Sequence, residues 1–268
     1  MPGLDLRLAL DTARRAVRAA SAASLRHFRR GVQVEVKPDR TPVTAADRDS
    51  EAAIVRVVRR AFPRHAILCE ESGAHAGEAG ARWIVDPIDG TRGFTRGGSF
   101  WGPLLALEHH GEVVVGAMAL PALGETYWAA RGRGAFLQRA RAKPVRLRVS
   151  RVADWDQATL SLGELRFLLA PGRAPAVERL VATAASARCY GDLAGCALVL
   201  TGRAEAWIEA GVKEWDLAPL QILVEEAGGR FTDLAGRPGV SSGHCLASNG
   251  LVHRHALAAF AGGGRPGR

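Results

Sequence analysis

The sequence predicts a layered α+β or α/β protein, because strands are grouped in its middle and strands and helices alternate after them. Short apolar runs separated by Gly and Pro indicate a β-meander over residues 102–137, and the alternation begins near residue 158. A length of 268 residues, with 47% hydrophobic and 24% charged residues, suits one globular unit or two closely merged halves. Disorder, a coiled coil and a fibre are excluded.

The first ninety residues are predicted to contain two helices and three short strands. Apolar positions at helical spacing, followed by a glycine, mark the first helix, and a Thr-x-x-Asp pattern marks the start of the second. The predicted elements are a helix over 4–30, a strand over 32–36, a turn over 37–42, a helix from Thr44, and strands over 66–69 and 83–85.

The remaining elements follow from alternating and helical apolar patterns. Predicted strands cover 104–107, 113–120, 126–129, 135–137, 159–162, 206–209, 230–232 and 244–247. Predicted helices cover 174–185, 192–201, 216–227 and 250–261. A linker over 139–143 would divide an N-terminal α+β half (1–145) from a C-terminal α/β half (146–262), and the tail 263–268 is predicted to be disordered.

The chain carries a formal charge of +9, but its charge pattern argues against nucleic-acid binding. Only three of its 36 basic residues are lysines, and the arginines are spread along the whole chain without a block interleaved with aromatics. No apolar run approaches the roughly 18 residues that span a bilayer, and the first residues lack a signal peptide. The four cysteines form no CxxC pair. We therefore expect a cytoplasmic protein with free thiols and neither nucleic-acid nor membrane partners.

Acidic residues stand where apolar segments end. Glu70 and Asp86 follow two predicted strands directly, Asp89 comes three residues after Asp86, and Asp216 opens a helix. A carboxylate at the end of a buried strand is costly to desolvate and repels its neighbours. No Lys or Arg lies within the first two clusters, so a divalent cation is the natural counterion. Oxygen ligands without His or Cys select Mg²⁺ first, and Mn²⁺ or Ca²⁺ after it.

The run Asp86–Thr91 (DPIDGT) combines these acids with a phosphate-binding turn. Its proline fixes φ near −65°, so that both carboxylates and the Ile88 carbonyl can converge. Its last two residues, Gly90 and Thr91, present backbone N–H groups at the start of a short helix, which is an anion site. The histidines 109, 110, 253 and 255 show no ligand spacing and are predicted to lie at the surface.

In these motifs the chain resembles the inositol monophosphatase-like, Mg²⁺-dependent phosphatases. The matching blocks stand in the family's order and are residues 37–47, 70–72, 83–94, 215–218 and 226–229. The resemblance implies an αβαβα sandwich of the sugar phosphatase type, a homodimer, and two to three Mg²⁺ ions, for which Mn²⁺ could substitute. It also implies hydrolysis of a small phosphomonoester by in-line attack of an activated water.

The resemblance further implies a role for each matching residue. The first ion would be held by Glu70, Asp86 and the Ile88 carbonyl. The second would be held by Asp86, Asp89 and Asp216. Water activation would fall to Asp47 and Thr91, with Glu70 acting through a third, weaker ion. The phosphate would be bound by Gly90, Thr91, Asp89 and Lys37.

Within the family, the chain looks most like the histidinol-phosphatase branch, which acts in histidine biosynthesis. The features that carry this likeness include Gly191-Asp192 and Glu209. Histidinol phosphate has an ammonium and an imidazole, which Asp192 and Glu209 would complement through charge-assisted hydrogen bonds. Asp192 could instead be a helix N-cap. Two departures from the family's usual residues are Gly93 in place of Asn and Glu214 in place of Pro.

Three alternatives to a histidinol-phosphatase remain open at this point. An inositol-1-monophosphatase or a broad-range sugar phosphatase would use the same acids on another ester. A non-catalytic relative that only binds phosphate would lack at least one ligand, and all are present. A nucleic-acid-binding protein would show micromolar affinity with a steep salt dependence.

Overall fold

The fold is built on two β-sheets, one of eight strands and one of five. The structure is a computed structural model and describes residues 4–28, 34–36 and 42–261. The helices are α1 (Leu6–Phe28), α2 (Ala45–Ala61), α3 (Thr91–Thr95), α4 (Leu165–Leu168), α5 (Ala174–Thr183), α6 (Asp192–Leu200), α7 (Glu214–Glu226) and α8 (His253–Ala261).

The strands fall into the two sheets and one separate hairpin. The hairpin consists of β1 (Val34–Val36) and β2 (Pro42–Thr44). The eight-stranded sheet contains β3 (His65–Cys69), β4 (Gly73–His75), β5 (Glu78–Asp89), β6 (Gly102–His109), β7 (Glu112–Leu120), β8 (Glu125–Ala130), β9 (Gly134–Arg139) and β10 (Val145–Arg146). The five-stranded sheet contains β11 (Thr159–Leu162), β12 (Ser186–Cys189), β13 (Ala206–Ala210), β14 (Arg230–Thr232) and β15 (His244–Ser248).

Strand order in the eight-stranded sheet is β10-β9-β8-β7-β6-β5-β3-β4, and only the pair β3–β5 is parallel. Successive residues of β5 point to opposite faces. Trp83 and Val85 therefore join the apolar cluster under α1 and α2, whereas Ile84 joins the cluster that contains α6 and α7 residues. The sheet is covered by helices on both faces.

The five-stranded sheet has the order β12-β11-β13-β15-β14 and is also covered on both sides. Its outer face packs on α5 and α8 through residues such as Leu160, Ile208 and Val177. Helix α6 contacts β13 and β15, and α7 contacts β14 and β15 as well as strands of the eight-stranded sheet, so both helices lie between the two sheets. The order of layers is helices, sheet, helices, sheet, helices, which confirms the predicted αβαβα sandwich.

Most predicted elements are present, with ends moved by one to three residues. The exceptions are strand β5, which is much longer than the predicted 83–85, and several short elements that were not predicted. The unpredicted elements are β2, β4, β10, β12 and α4. The predicted turn over 37–42 lies mostly outside the described residues, as does the tail 263–268.

The predicted linker over 139–143 connects β9 to β10, which pair in the eight-stranded sheet. That sheet therefore ends at Arg146, and the five-stranded sheet begins at Thr159. All four cysteines are free, as expected. Among the helices of the described part of the chain, none combines the length and apolar character that crossing a membrane requires.

His253 is fully buried, which corrects the predicted surface position. Its ring nitrogens lie 3.0 Å from the Thr232 hydroxyl and 2.8 Å from the Ser248 hydroxyl. Burial, together with the nearby charge of Arg230, lowers the pKa of His253 to about 4. The folded protein therefore holds this ring neutral, while the unfolded chain has an ordinary pKa near 6.5.

We predict that His253→Gln makes the protein less sensitive to acid. As pH falls from about 6.5 toward 4, the unfolded wild-type chain takes up the His253 proton before the folded protein does, so stability is lost. Between pH 7 and pH 4 the wild type should lose about 3 kcal/mol more unfolding free energy than the variant. Urea unfolding at both pH values measures this difference. An equal loss in the two proteins would contradict it.

Candidate active site

The predicted acids meet at one edge of the eight-stranded sheet. Strands β3 and β5 are parallel neighbours, so the residues at their carboxyl ends lie at the same edge. Glu70 follows β3, and its backbone N–H donates to the Val85 carbonyl of β5 at 3.1 Å. The pairing of β5 with β6 shifts register between Asp86 and Asp89. This irregularity lets both carboxylates turn toward the same space.

Asp86, Asp89 and Asp216 form a compact carboxylate cluster, which we call the acid cluster. One oxygen from each can be chosen so that all three lie within 4.8 Å of one another. Asp86 is buried, with 2% of its surface exposed, and Asp89 and Asp216 are partly buried. These are the three carboxylates that the family resemblance implies for the second ion.

The acid cluster is electrostatically unfavourable without a counterion. Burial raises the pKa of Asp86 well above its usual range, and the charges of Glu70, Asp216 and Asp89 raise it further. Burial, with Asp192 and Asp216 nearby, likewise raises the pKa of Asp89. Acids held in this way favour protonation unless a cation neutralises them.

Backbone donors orient the three carboxylates. Asp86 Oδ1 accepts the Ile88 N–H at 2.8 Å, and Asp89 Oδ2 accepts the Leu193 N–H at the start of α6 at 3.0 Å. Asp216 Oδ2 accepts the Lys213 N–H at 2.7 Å, so the side chain is held by the N-cap backbone of α7. The acids are therefore attached to β5, α6 and α7, and their arrangement depends on how these elements pack.

Glu70 lines the same cavity as the acid cluster. The turn that follows it is held by the buried carboxylate of Glu51 in α2, which accepts the N–H groups of Glu71 at 2.9 Å and Ser72 at 3.1 Å. Glu51 was not singled out in the sequence. A glutamate on the inner face of a helix does not by itself indicate which groups it binds.

Gly90 adopts a left-handed conformation, with φ of 78°, directly before α3. A Cβ added there would lie 2.8 Å from the Phe100 carbonyl oxygen and 2.9 Å from Asp192 Oδ2. Both the backbone conformation and the close packing therefore require glycine. The first N–H groups of a helix have no intrahelical acceptor, so this turn can donate to an anion.

The predicted water-activating residues lie on elements that pack together. Ala46 of α2 and Ile88 share one apolar cluster with Phe94 of α3. Asp47 Oδ2 accepts the N–H of Thr44 at 2.7 Å and its hydroxyl at 2.6 Å. The Thr91 hydroxyl donates to the Ile88 carbonyl at 2.9 Å. The pairing of Asp47 with Thr91 stays a prediction, and Lys37 lies outside the described residues.

The acid cluster opens into a cavity of about 570 Å³, which both Asp192 and Glu209 line. Burial and the charge of Glu164 raise the pKa of Asp192 to about 6. Burial raises the pKa of Glu209 to about 7, although its Oε1 accepts the N–H groups of Glu164 at 2.7 Å and Ala210 at 2.9 Å. Gly191, with φ of 76°, supplies the turn that begins α6 at Asp192.

The cavity wall also contains residues to which the sequence analysis assigned no role. They are Arg92, Glu164, Arg166, Phe167, Trp207, Val212, Lys213 and Trp215. Phe167 is 40% exposed, and its ring packs against Gly211, where any Cβ would overlap it. Helix α4, which carries Phe167, has only four residues and shows no helical periodicity. Its place in the cavity follows from tertiary packing alone.

The donor set suits a hard divalent cation. Three carboxylates converge within the cavity, and Glu70 lines it beside them. Burial raises the pKa of Asp86, Asp89 and Asp216, so a cation bound among them would favour their ionised form. Oxygen-only ligation of this kind fits Mg²⁺ and, next to it, Mn²⁺.

Comparison with known proteins identifies the family and the fold over nearly the whole chain. A sequence model of the inositol monophosphatase family matches residues 5–262. The histidinol-phosphatase of Mycobacterium tuberculosis is 42% identical over 253 residues, which cover 94% of this chain and 96% of that protein. The histidinol-phosphatase of Chlorobaculum parvum is 40% identical over 263 residues, covering 97% and 98%. The solved inositol monophosphatase from Anabaena is 30% identical, with a TM-score of 0.82 and coverage of 96% and 97%.

Proposed function

This chain belongs to the inositol monophosphatase family, and we propose that it hydrolyses L-histidinol phosphate to L-histidinol and inorganic phosphate. It is a phosphomonoester hydrolase, and the choice of ester is the proposal. The observation that carries the proposal is the 40–42% identity, over nearly the full chain, to proteins named histidinol-phosphatase. The acidic side chain of Asp192 in the cavity supports it, because the substrate has an ammonium group.

The acid cluster would hold Mg²⁺, with Glu70 and the Ile88 carbonyl as further ligands. When bound, Mg²⁺ supplies positive charge that stabilises the transferring phosphoryl group and makes water more acidic. Two to three ions, replacement by Mn²⁺, a homodimer and a cytoplasmic location are proposed from the family resemblance. The four free cysteines agree with a reducing compartment.

The protein's own groups would orient the reactants. Gly90 and Thr91 would bind phosphate oxygens through their N–H groups, assisted by Lys37. The Thr91 hydroxyl and Asp47 would hold the attacking water and take its proton. The water oxygen bonds to phosphorus as the bond to the leaving alkoxide breaks, and the alkoxide takes up a proton to give the alcohol. Positioning and charge neutralisation dominate reactions of this type.

The substrate proposal is tested by phosphate release from histidinol phosphate and from inositol-1-phosphate. We expect a higher kcat/KM for histidinol phosphate. A preference for inositol-1-phosphate would favour instead an inositol-1-monophosphatase, the activity that the name of the solved Anabaena relative states. Similar kcat/KM values for both esters and for a sugar phosphate would favour a broad-range enzyme.

Asp192→Asn separates amine recognition from the hydrolytic chemistry. Asp192 has φ of 34°, a region that Asn tolerates, so the change removes the charge and leaves the backbone in place. We expect the ratio of kcat/KM for histidinol phosphate to that for inositol-1-phosphate to fall by about 10-fold, the worth of one charge-assisted hydrogen bond. Asp156→Asn, at an exposed position outside the cavity, is the control. An unchanged ratio in Asp192→Asn would exclude this residue from amine recognition.

A further inference from the structure

One face of strand β5 presents both an arginine and an acid to helix α7. Arg82, Ile84 and Asp86 are two residues apart and so share a face of the strand. Ile84 packs in the same apolar cluster as Leu217 and Leu220 of α7. Arg82 thus stands on the strand face that carries Asp86 of the acid cluster.

Arg82 joins the sheet to the first residue of α7. Its Nε and Nη2 donate to Glu108 at 2.9 and 3.1 Å, and Glu108 is its direct cross-strand neighbour in β6. Nη2 also donates to Glu214 Oε2 at 2.7 Å. The bidentate contact with Glu108 therefore orients the guanidinium toward Glu214.

Glu214 occupies the first position of α7, two residues before Asp216. Proline is favoured at this position for two reasons. Its fixed φ suits the first turn, and the N–H that it lacks would have no acceptor within the helix. The sequence has glutamate here, so the backbone of the first turn lacks that restraint. The ion pair between Arg82 and the Glu214 side chain restrains the first turn of α7 instead.

The acid cluster bridges the same two elements. Asp86 belongs to β5 and Asp216 to α7, and their carboxylate oxygens lie within 4.8 Å of each other, so the position of Asp216 relative to Asp86 depends on how the first turn of α7 sits on the sheet. The attraction between Arg82 and Glu214 pulls these elements together. We propose that Arg82 and Glu214 are positioning residues that hold Asp216 in its ligand geometry before the cation binds. This rests on the metal site proposed above.

The opposite end of α7 provides a matched control. There Glu225 forms an ion pair with Arg131, far along the helix from the acid cluster. Glu214→Gln and Glu225→Gln each remove one Arg–Glu pair from the same helix. The two variants should therefore lose similar thermal stability and differ in cation binding.

The experiment is titration of each metal-free protein with Mn²⁺ alone, followed calorimetrically. We expect Glu214→Gln to weaken Mn²⁺ binding by about 5- to 10-fold and Glu225→Gln to leave it within 2-fold, with comparable falls in Tm. Glu214→Pro should restore most of the Mn²⁺ affinity without restoring the ion pair, because proline fixes the first turn by another means.

The outcomes distinguish the two proposals. If the wild type binds no Mn²⁺, or Asp216→Asn binds it as tightly as the wild type, the metal site itself is wrong. If Asp216→Asn weakens binding but Glu214→Gln and Glu225→Gln bind Mn²⁺ alike, the positioning role is overturned. Failure of Glu214→Pro to regain affinity, while folding normally, would also overturn it.

Discussion

Asp89→Asn is expected to lower kcat by on the order of 10²-fold or more and to leave the protein folded. Asn keeps an oxygen that can accept the Leu193 N–H, so the attachment of α6 to the site remains. The change removes one full negative charge from the acid cluster, and with it the charge that would hold a cation against the phosphate. Groups that act electrostatically on a transition state contribute several kcal/mol in this way.

The measurement for Asp89→Asn is phosphate release at saturating ester over a wide range of Mg²⁺ concentrations. Asp156→Asn, which changes an exposed carboxylate, should keep wild-type turnover. If high Mg²⁺ concentrations restore kcat completely, Asp89 contributes only to the affinity for the cation. Near-wild-type turnover at ordinary Mg²⁺ would remove Asp89 from the catalytic site.

Two members of the acid cluster, Asp86 and Asp89, could be predicted from the sequence because they stand at the end of an apolar strand. A buried strand fixes the direction of the chain, so Asp86 after one strand and Glu70 after its parallel neighbour must reach the same edge. Asp216 stands at the start of an apolar helix, and its place among the ligands came from the family resemblance. The five-layer order came from the family resemblance, and the packing of α6 and α7 between the sheets confirms it.

Other features depend on distant parts of the chain and leave no local pattern. Phe167 reaches the cavity because Gly211, 44 positions later in the chain, gives its ring space. His253 is buried because Thr232 and Ser248 approach it from two strands, while its own neighbours look like a surface helix. The hydrogen bond between Arg82 and Glu214 joins residues 132 positions apart in the chain. Such contacts are products of tertiary packing, which periodicity and turn signals do not encode.

Asp86→Asn is expected to stabilise the metal-free protein and to abolish its stabilisation by Mg²⁺. Asp86 is buried, and its pKa is raised by burial first and then by Glu70, Asp216 and Asp89, so its charge opposes folding. Asn preserves the shape and the acceptor for the Ile88 N–H. Removing the charge should raise the unfolding free energy of the metal-free protein by about 1–3 kcal/mol.

With Mg²⁺ present, we expect the wild type to have a higher free energy of unfolding than Asp86→Asn, the reverse of the order without Mg²⁺. At a concentration 100-fold above Kd, a ligand adds about 2.7 kcal/mol to the wild type, whereas Asp86→Asn should gain almost nothing. Urea unfolding with and without Mg²⁺ measures both changes. The control is Asp233→Asn, because Asp233 is equally buried but accepts hydrogen bonds from Arg237 and Ala235 that lower its pKa. That variant should lose about 1–3 kcal/mol and keep its full response to Mg²⁺. If Asp86→Asn also lost stability without Mg²⁺, the carboxylates of the acid cluster would be satisfied by the protein itself, and no cation would be needed between them.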